Sequence, residues 1–480
     1  MTTTTSLSTS DTAFPHSRIL IFIFAYIAVL ALRITLFTGT GYTADDALII
    51  FRYAENLAAG HGFVYNEGER VLGTTTPLFT LLLAVLLKFK ISCFVSAFIL
   101  NNLADFATSW VLLMMFRSEE RPLSWLPAVL FLFSPESLQW PLSGMETEAY
   151  IAFIFLTFYF ASAESWSLAF LFAAMTVLTR IDGIAVLGVL VVVYLLRYGK
   201  LPALPLVIFT MTVLPWVLFA WFYFGSPIPN SAAAKWALSG GNILSAPANI
   251  LLRGFLHLHT FGIPVLILAL AGTRFIWQER KAWLPLALWT WGYALSYTIA
   301  AGPMHPWYYA PFYVGYLALA FHGILFLFAR YPKLKIRTVS ATLSIIAIII
   351  VLYLSYDRST DLRLQQAQMN ATNRAAGVWM ATNTPPDSVL AAKDIGYIGY
   401  YSRRKILDLA GLVSPECIPY RAKSDFLGPI RKFHPDYFAF SAGQARTLNL
   451  DKDNLMNDYK LAARITSGSG TYLIFQSVIK

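Results

Sequence analysis

Residues 45–84 read DDALIIFRYAENLAAGHGFVYNEGERVLGTTTPLFTLLLA. Two adjacent carboxylates, Asp45 and Asp46, follow an apolar run, Ile19–Phe37, that is long enough to span a bilayer. After them the apolar residues recur at helical spacing, which predicts a helix lying along a membrane surface. A single Asp at such a point is explained by capping, because it accepts a backbone N–H and suits the helix dipole. A pair is harder to explain that way. Neighbouring carboxylates repel and resist desolvation, and one of the two can have its pKa moved toward general-base work.

The rest of the chain fits that setting. Of its 480 residues, 57% are hydrophobic and 13% charged, and the mean hydropathy is +0.57. That is too apolar for a water-soluble core of this length and implies a polytopic membrane protein. The aromatics Trp236, Trp283, Trp307, Tyr308 and Tyr309 fall at the ends of apolar runs, where interfacial anchoring would put them. The net charge of +10 does not point to nucleic acid, since most of the excess is a matter of topology. Cys93 lies in an apolar run and Cys417 in a polar tail, so no disulfide framework is expected.

About eleven transmembrane helices are expected, at 18–38, 93–116, 122–141, 146–163, 165–179, 183–197, 202–224, 255–276, 282–301, 308–330 and 337–356. Pro77–Phe89 is too short for a comfortable span and is read as non-crossing. Alternate loops then collect Arg117 with Arg121, Arg197 with Lys200, Arg274 with Arg280 and Lys281, and Arg330 with Lys333, Lys335 and Arg337. These are the cytoplasmic loops, and the N-terminus lies on their side. Residues 1–17 read as a disordered cytoplasmic tail, 18–356 as the membrane domain with a first extracytoplasmic loop at 39–92, and 357–480 as a small extracytoplasmic α/β domain. Within the last, a helix is expected over Leu362–Asn383, stopped by Pro385 and Pro386, with strands at Val389–Ala392 and Lys405–Leu409.

The outer loops hold the unusual polar residues: SGMETEAYIAF (143–153), LTRIDG (178–183), FGSPIPNSAAAK (224–235) and PWYYAPFY (306–313). Lys235, His305, Arg52 and Arg180 are the candidates for holding a phosphate, which needs multidentate donors or point charges. Each also has a plain reading. Arg52 can contact headgroups, Arg180 can pair with Asp182, Lys235 can be a loop charge, and His305 can anchor a turn. Glu146 and Glu148 stand two apart at a helix start and cannot both face one way, and Glu146 is favoured for the site.

Together with DSVLAAKDIGYIGYYSRRKILDLAGL (387–412), these segments and the 45–84 stretch resemble the GT-C superfamily of membrane glycosyltransferases over nearly the whole chain. The similarity is to members related to protein O-mannosyltransferases and aminoarabinose transferases, nearest the arabinofuranosyltransferase-like branch. Leu72 departs from the pattern, because relatives often carry an acid there. The resemblance implies a multi-pass protein of the inner (plasma) membrane with a GT-C fold. It would move a sugar from a polyprenyl-phosphate carrier to an extracytoplasmic glycan, lipid or protein acceptor by an inverting displacement. The first-loop acid serves as base, here Asp45 with Asp46 as the close alternative, and Asn230, Trp307 and Tyr308 join Glu146 and Glu148 in lining the site. No cofactor is implied, a divalent metal is not favoured, and the partners are the lipid-linked donor, the acceptor and membrane lipids. The alternative is a transporter or flippase of a lipid-linked sugar, which would gather its polar residues near the bilayer midplane instead of in loops on one face.

Overall fold

The computed structural model describes residues 16–116, 124–238, 263–300, 305–330, 353–354, 356–358, 360–467 and 470–479. Five of its helices are long and apolar enough to cross a membrane: Ser17–Thr40, Cys93–Met115, Ile181–Tyr198, Ala203–Phe224 and Pro306–Phe328. The segments expected at 146–163, 165–179, 255–276 and 282–301 form the helices Thr147–Ser162, Trp166–Thr179, Ile263–Glu279 and Leu284–Ile299. At 1.5 Å per residue, Thr147–Ser162, Trp166–Thr179 and Leu284–Ile299 cover about 21–24 Å, short of a ~30 Å hydrocarbon core, and the part of the 255–276 expectation before Ile263 lies outside the described residues. Pro77–Lys88 is a helix of 12 residues, about 18 Å long, consistent with its non-crossing reading. Of the remaining expectations, most of the 1–17 tail and most of the 337–356 span lie outside the described residues.

One expected span is corrected. The 122–141 stretch is broken among the described residues into Leu126–Leu132, Pro135–Gln139 and Trp140–Leu142. Ser134 accepts from the Ser137 amide as a cap, and Pro135 and Pro141 each lack the N–H a continuous helix needs.

The helices share an apolar core that includes Phe22, Tyr150, Phe158, Trp289 and Val314. Inside it lies a buried ion pair that sequence reading did not pick out. Arg33 of the first helix donates to Asp105 of the Cys93–Met115 helix at 2.9 Å, to Asn102 Oδ1 at 3.0 Å and to the Ser137 hydroxyl. Both charges are fully buried, so partners on several elements are what make them tolerable.

The tail forms a five-stranded sheet with β1 Val389–Ala392, β2 Lys405–Asp408, β3 Tyr437–Ser441, β4 Tyr459–Ser467 and β5 Gly470–Ser477. The order is β2-β1-β3-β5-β4, with β1 parallel to β2 and β3, and β5 antiparallel to β3 and β4. The expected Leu362–Asn383 helix is present, with a π turn at Asn370–Arg374.

One of this domain's contacts is made by the helix Ile395–Ser402, which packs on the first-loop helix Asp45–Ala59. Asp45 accepts from the amides of Gly396 at 3.1 Å and Tyr397 at 2.8 Å, at the tail helix's N-terminal end. Two turns along the loop helix, Arg52 donates to the carbonyl oxygens of Gly399 at 2.7 Å and Arg404 at 2.8 Å, at the other end. Seven residues rise about 10.5 Å, close to the roughly 12 Å length of an eight-residue helix, so one helix face grips both ends of the other. An acid at the N-terminus and a cation at the C-terminus both suit the tail helix's dipole. The approach is so close that only glycine fits. A Cβ at Gly396 would lie 2.0 Å from the Asp45 carbonyl oxygen, and one at Gly399 would lie 1.8 Å from the Tyr65 hydroxyl.

Arg52 acts here as a clamp and does not line the cleft described below. Its guanidinium also donates to the Tyr65 carbonyl at 2.9 Å and stacks 4.2 Å over the Tyr65 ring. Replacing it (Arg52→Met) strands those carbonyl acceptors, at a cost on the order of 3–5 kcal/mol. The expected result is faster limited proteolysis of residues 357–480 and a lower melting temperature in detergent, whereas an unchanged digestion rate would contradict the clamp.

Candidate functional site

A cleft of about 280 Å³ opens between the loop helix, the membrane helices and the tail domain. Its floor comes from chain breaks in which helices end and side chains are free to project. Asp46 projects from the loop helix, Thr74–Thr76 from the turn before Pro77, and Glu146 from the residue before the Thr147–Ser162 helix. Arg180 sits between the Trp166–Thr179 and Ile184–Tyr198 helices. Lys235 comes from the Asn230–Leu238 helix, and His305, Trp307 and Tyr308 from the start of the Pro306–Arg330 helix.

Neighbours in sequence, Asp45 and Asp46 point about 100° apart on their helix. Asp45 is spent on the tail helix's amides and does not line the cleft, which corrects the expectation that it is the first candidate for base. Asp46 is open to the cleft while protein surrounds the cleft walls. Burial raises its pKa, Lys235 and His305 oppose that rise, Asp394 adds to it, and Arg180 opposes it. A carboxylate moved toward neutrality and faced by cations is suited to accepting a proton.

The cations differ in how far they are already engaged. Lys235 Nζ donates to the Tyr308 hydroxyl at 2.7 Å and, among the described residues, has no carboxylate partner. Arg180 is buried and donates to Glu146 Oε1 at 3.1 Å and to Asp182 Oδ1 at 3.1 Å, with Tyr308 beneath it at 5.1 Å. The second Glu146 oxygen, Oε2, has no hydrogen-bond partner among the described residues. His305 lies flat on Trp307, ring centroids 4.5 Å apart. Burial lowers its pKa below the usual 6.5, Asp46 opposes this and Lys235 adds to it.

Two other expected site residues lie elsewhere. Glu148 is fully buried within electrostatic reach of Asp105, Arg33 and Glu136, on the membrane-domain side away from the cleft. Asn230 donates to the carbonyls of Gly411 at 2.6 Å and Leu412 at 3.1 Å, tying its helix to the tail domain. Leu72 is packed in the apolar contact beneath that domain, and its carbonyl accepts from the Asn230 amide.

Sequence reading missed the tail's share of the site. Lys393 and Asp394 follow β1, Ala410 and Leu412 follow β2, and Arg421 ends a short helix at Ile418–Arg421; all line the cleft. A charged pair after the predicted strand VLAA was a signal, as was the Thr-Thr-Thr run before Pro77; Arg421 carried none.

Fold and cleft together define a polytopic membrane protein with a soluble domain roofing a polar cleft over the membrane helices. The solved structures that share this fold include ArnT from Cupriavidus metallidurans bound to undecaprenyl phosphate, with TM-score 0.63, 13% identity, and coverage of 96% of this chain and 98% of that one. The Archaeoglobus fulgidus oligosaccharyltransferase tethered to an acceptor peptide gives TM-score 0.59 and 13% identity, covering 94% of this chain and 73% of that one. AglB from the same organism, in complex with an inhibitory peptide and a dolichol-phosphate, gives 0.54 and 14%, covering 87% and 69%. At these identities the likeness is one of fold. A family described as a domain of unknown function (DUF8728) matches residues 360–475, the tail domain. No curated protein matches the chain in sequence.

Burial pushes Asp45 up to about 7, Asp394 adds to the rise, the Tyr397 amide opposes it, Asp46 adds, and the Gly396 amide opposes. The folded protein thus holds this proton more tightly than the unfolded chain, whose carboxyl sits near 3.9. The stability it contributes is fully present below about pH 4 and is lost as pH rises through about 7. The melting temperature is expected to fall between pH 5 and pH 8, and Asp45→Asn is expected to flatten that fall. An unchanged slope would remove Asp45 from the account.

Proposed function

We propose that the chain transfers a sugar from a polyprenyl-phosphate carrier to an acceptor hydroxyl, in a plasma membrane, with the cleft on the extracytoplasmic side. The observation that carries this reading is a carboxylate, Asp46, sharing one cleft with a lysine, Lys235, that among the described residues has no carboxylate partner. In the proposed step the acceptor oxygen attacks the anomeric carbon as the bond from that carbon to the phosphate oxygen breaks. The acceptor's proton passes to Asp46, and the polyprenyl phosphate leaves with its charge stabilised by Lys235 and by the partly engaged Arg180. Attack from the face opposite the leaving group inverts the anomeric centre. His305 supplies a hydrogen bond, and its stack on Trp307 fixes its plane.

Support also comes from the neighbours that bind undecaprenyl phosphate or a dolichol-phosphate. The gathering of polar residues in a cleft under the tail domain favours a transferase over a flippase. The acceptor class, whether glycan, lipid or protein, is left to the assay.

Sugar transfer from a panel of polyprenyl-phosphate sugars tests the reading. Asp46→Asn is expected to lower kcat by roughly 10²–10⁴-fold while donor binding persists, and Lys235→Met to raise the donor KM by roughly 10- to 100-fold. Full activity in Asp46→Asn would overturn the base assignment. Because side-chain cations are assigned the phosphate, turnover is expected to survive EDTA; its loss, restored by added metal, would replace this part of the mechanism.

A further inference from the structure

The cleft holds more cation than a single leaving phosphate requires, and the surplus belongs to the tail domain. Lys393 and Arg421 both line the cleft, from different elements of the sheet domain. Both flank one ring: Lys393 Nζ lies 4.8 Å and the Arg421 guanidinium 5.7 Å from the centre of Phe426. Among the described residues neither is in an ion pair, and Arg421 Nε is buried with no hydrogen-bond partner. An arginine donor hidden from water and left unpaired is destabilising unless a ligand fills it.

The position is the one where open α/β sheets bind ligands. Lys393 stands at the carboxyl end of β1, next to the carboxyl end of β2, and these two strands are parallel. The loop after β2 is held rigid there. Asp408 accepts from the amides of Ala410 at 2.8 Å, Leu412 at 2.5 Å and Val413 at 3.0 Å, and its carboxylate also lies within electrostatic reach of Arg421 without forming an ion pair with it. Asp394 likewise accepts from Gln444 at 2.7 Å.

We propose that Lys393 and Arg421 form a second anion subsite on the tail-domain side of the same cleft as Lys235, which takes a phosphate or carboxylate group of the substrate. Two sources fit this chemistry: an anionic group on the acceptor, or a second phosphate on the carrier lipid. Only the naming of these sources rests on the transferase reading; the subsite itself does not.

Binding to the detergent-solubilised full chain tests it without turnover. Inorganic phosphate is titrated by calorimetry into protein saturated with undecaprenyl phosphate, and undecaprenyl phosphate and pyrophosphate are compared as ligands. For Arg421→Gln, and independently Lys393→Gln, an acceptor-side subsite predicts at least about a tenfold loss of inorganic phosphate affinity, with both lipids bound as by the parent protein. A carrier-side subsite predicts the same loss for undecaprenyl pyrophosphate alone. Unchanged affinity for all three probes in both variants, with unchanged melting temperatures, would overturn the proposal. Failure of every sugar donor in the transfer assay would instead strike the transferase reading and leave these binding results standing.

Discussion

The grip of the loop helix on the tail helix is the contact on which the rest of the site depends. Asp45 holds the N-terminal end and Arg52 the C-terminal end, and glycines at 396 and 399 let the backbones meet. Helical geometry does the rest. With Asp45 fixed toward the tail domain, Asp46 must turn toward the membrane helices, and the loops after β1 and β2 must close over it. One contact thereby orients a carboxylate and assembles a cleft from segments more than 300 residues apart in sequence.

Charges inside this protein divide by whether they are satisfied. Arg33 is matched by Asp105, Ser137 and Asn102, and Arg52 by carbonyls and an aromatic face. Removing either partner would leave an uncompensated charge in a poorly polarisable setting, so these groups hold the fold together. Arg180 is intermediate, since it is paired with Glu146 and Asp182 yet lines the cleft. Lys235, Lys393 and Arg421 have no carboxylate partner among the described residues and meet in the same space. The satisfied cations build the structure, and the unsatisfied ones are available to a ligand.

Much of the architecture was legible because it follows from periodicity and composition. Apolar runs mark the long helices, the surface helix after Ile19–Phe37 follows from its 3.6-residue spacing, and the strands at 389–392 and 405–408 follow from short apolar runs between turn residues. The 122–141 stretch misled because hydropathy does not register that Pro135 and Pro141 interrupt a helix. Glu148 and Asn230 misled because a polar residue beside a site looks the same in sequence whether it points in or away.

The sequence alone determined that the chain is a multi-pass membrane protein with a soluble α/β tail, and it narrowed the chemistry to a few acids and cations in the loops. Those are properties of local composition and repeat, which a linear string carries in full. Only the tertiary structure decided which of two adjacent aspartates faces the cleft, that Arg52 is a clamp, and that the tail brings Lys393 and Arg421 to the site. A 100° turn per helical residue and contacts across hundreds of residues set these outcomes, and neither is written in any local pattern.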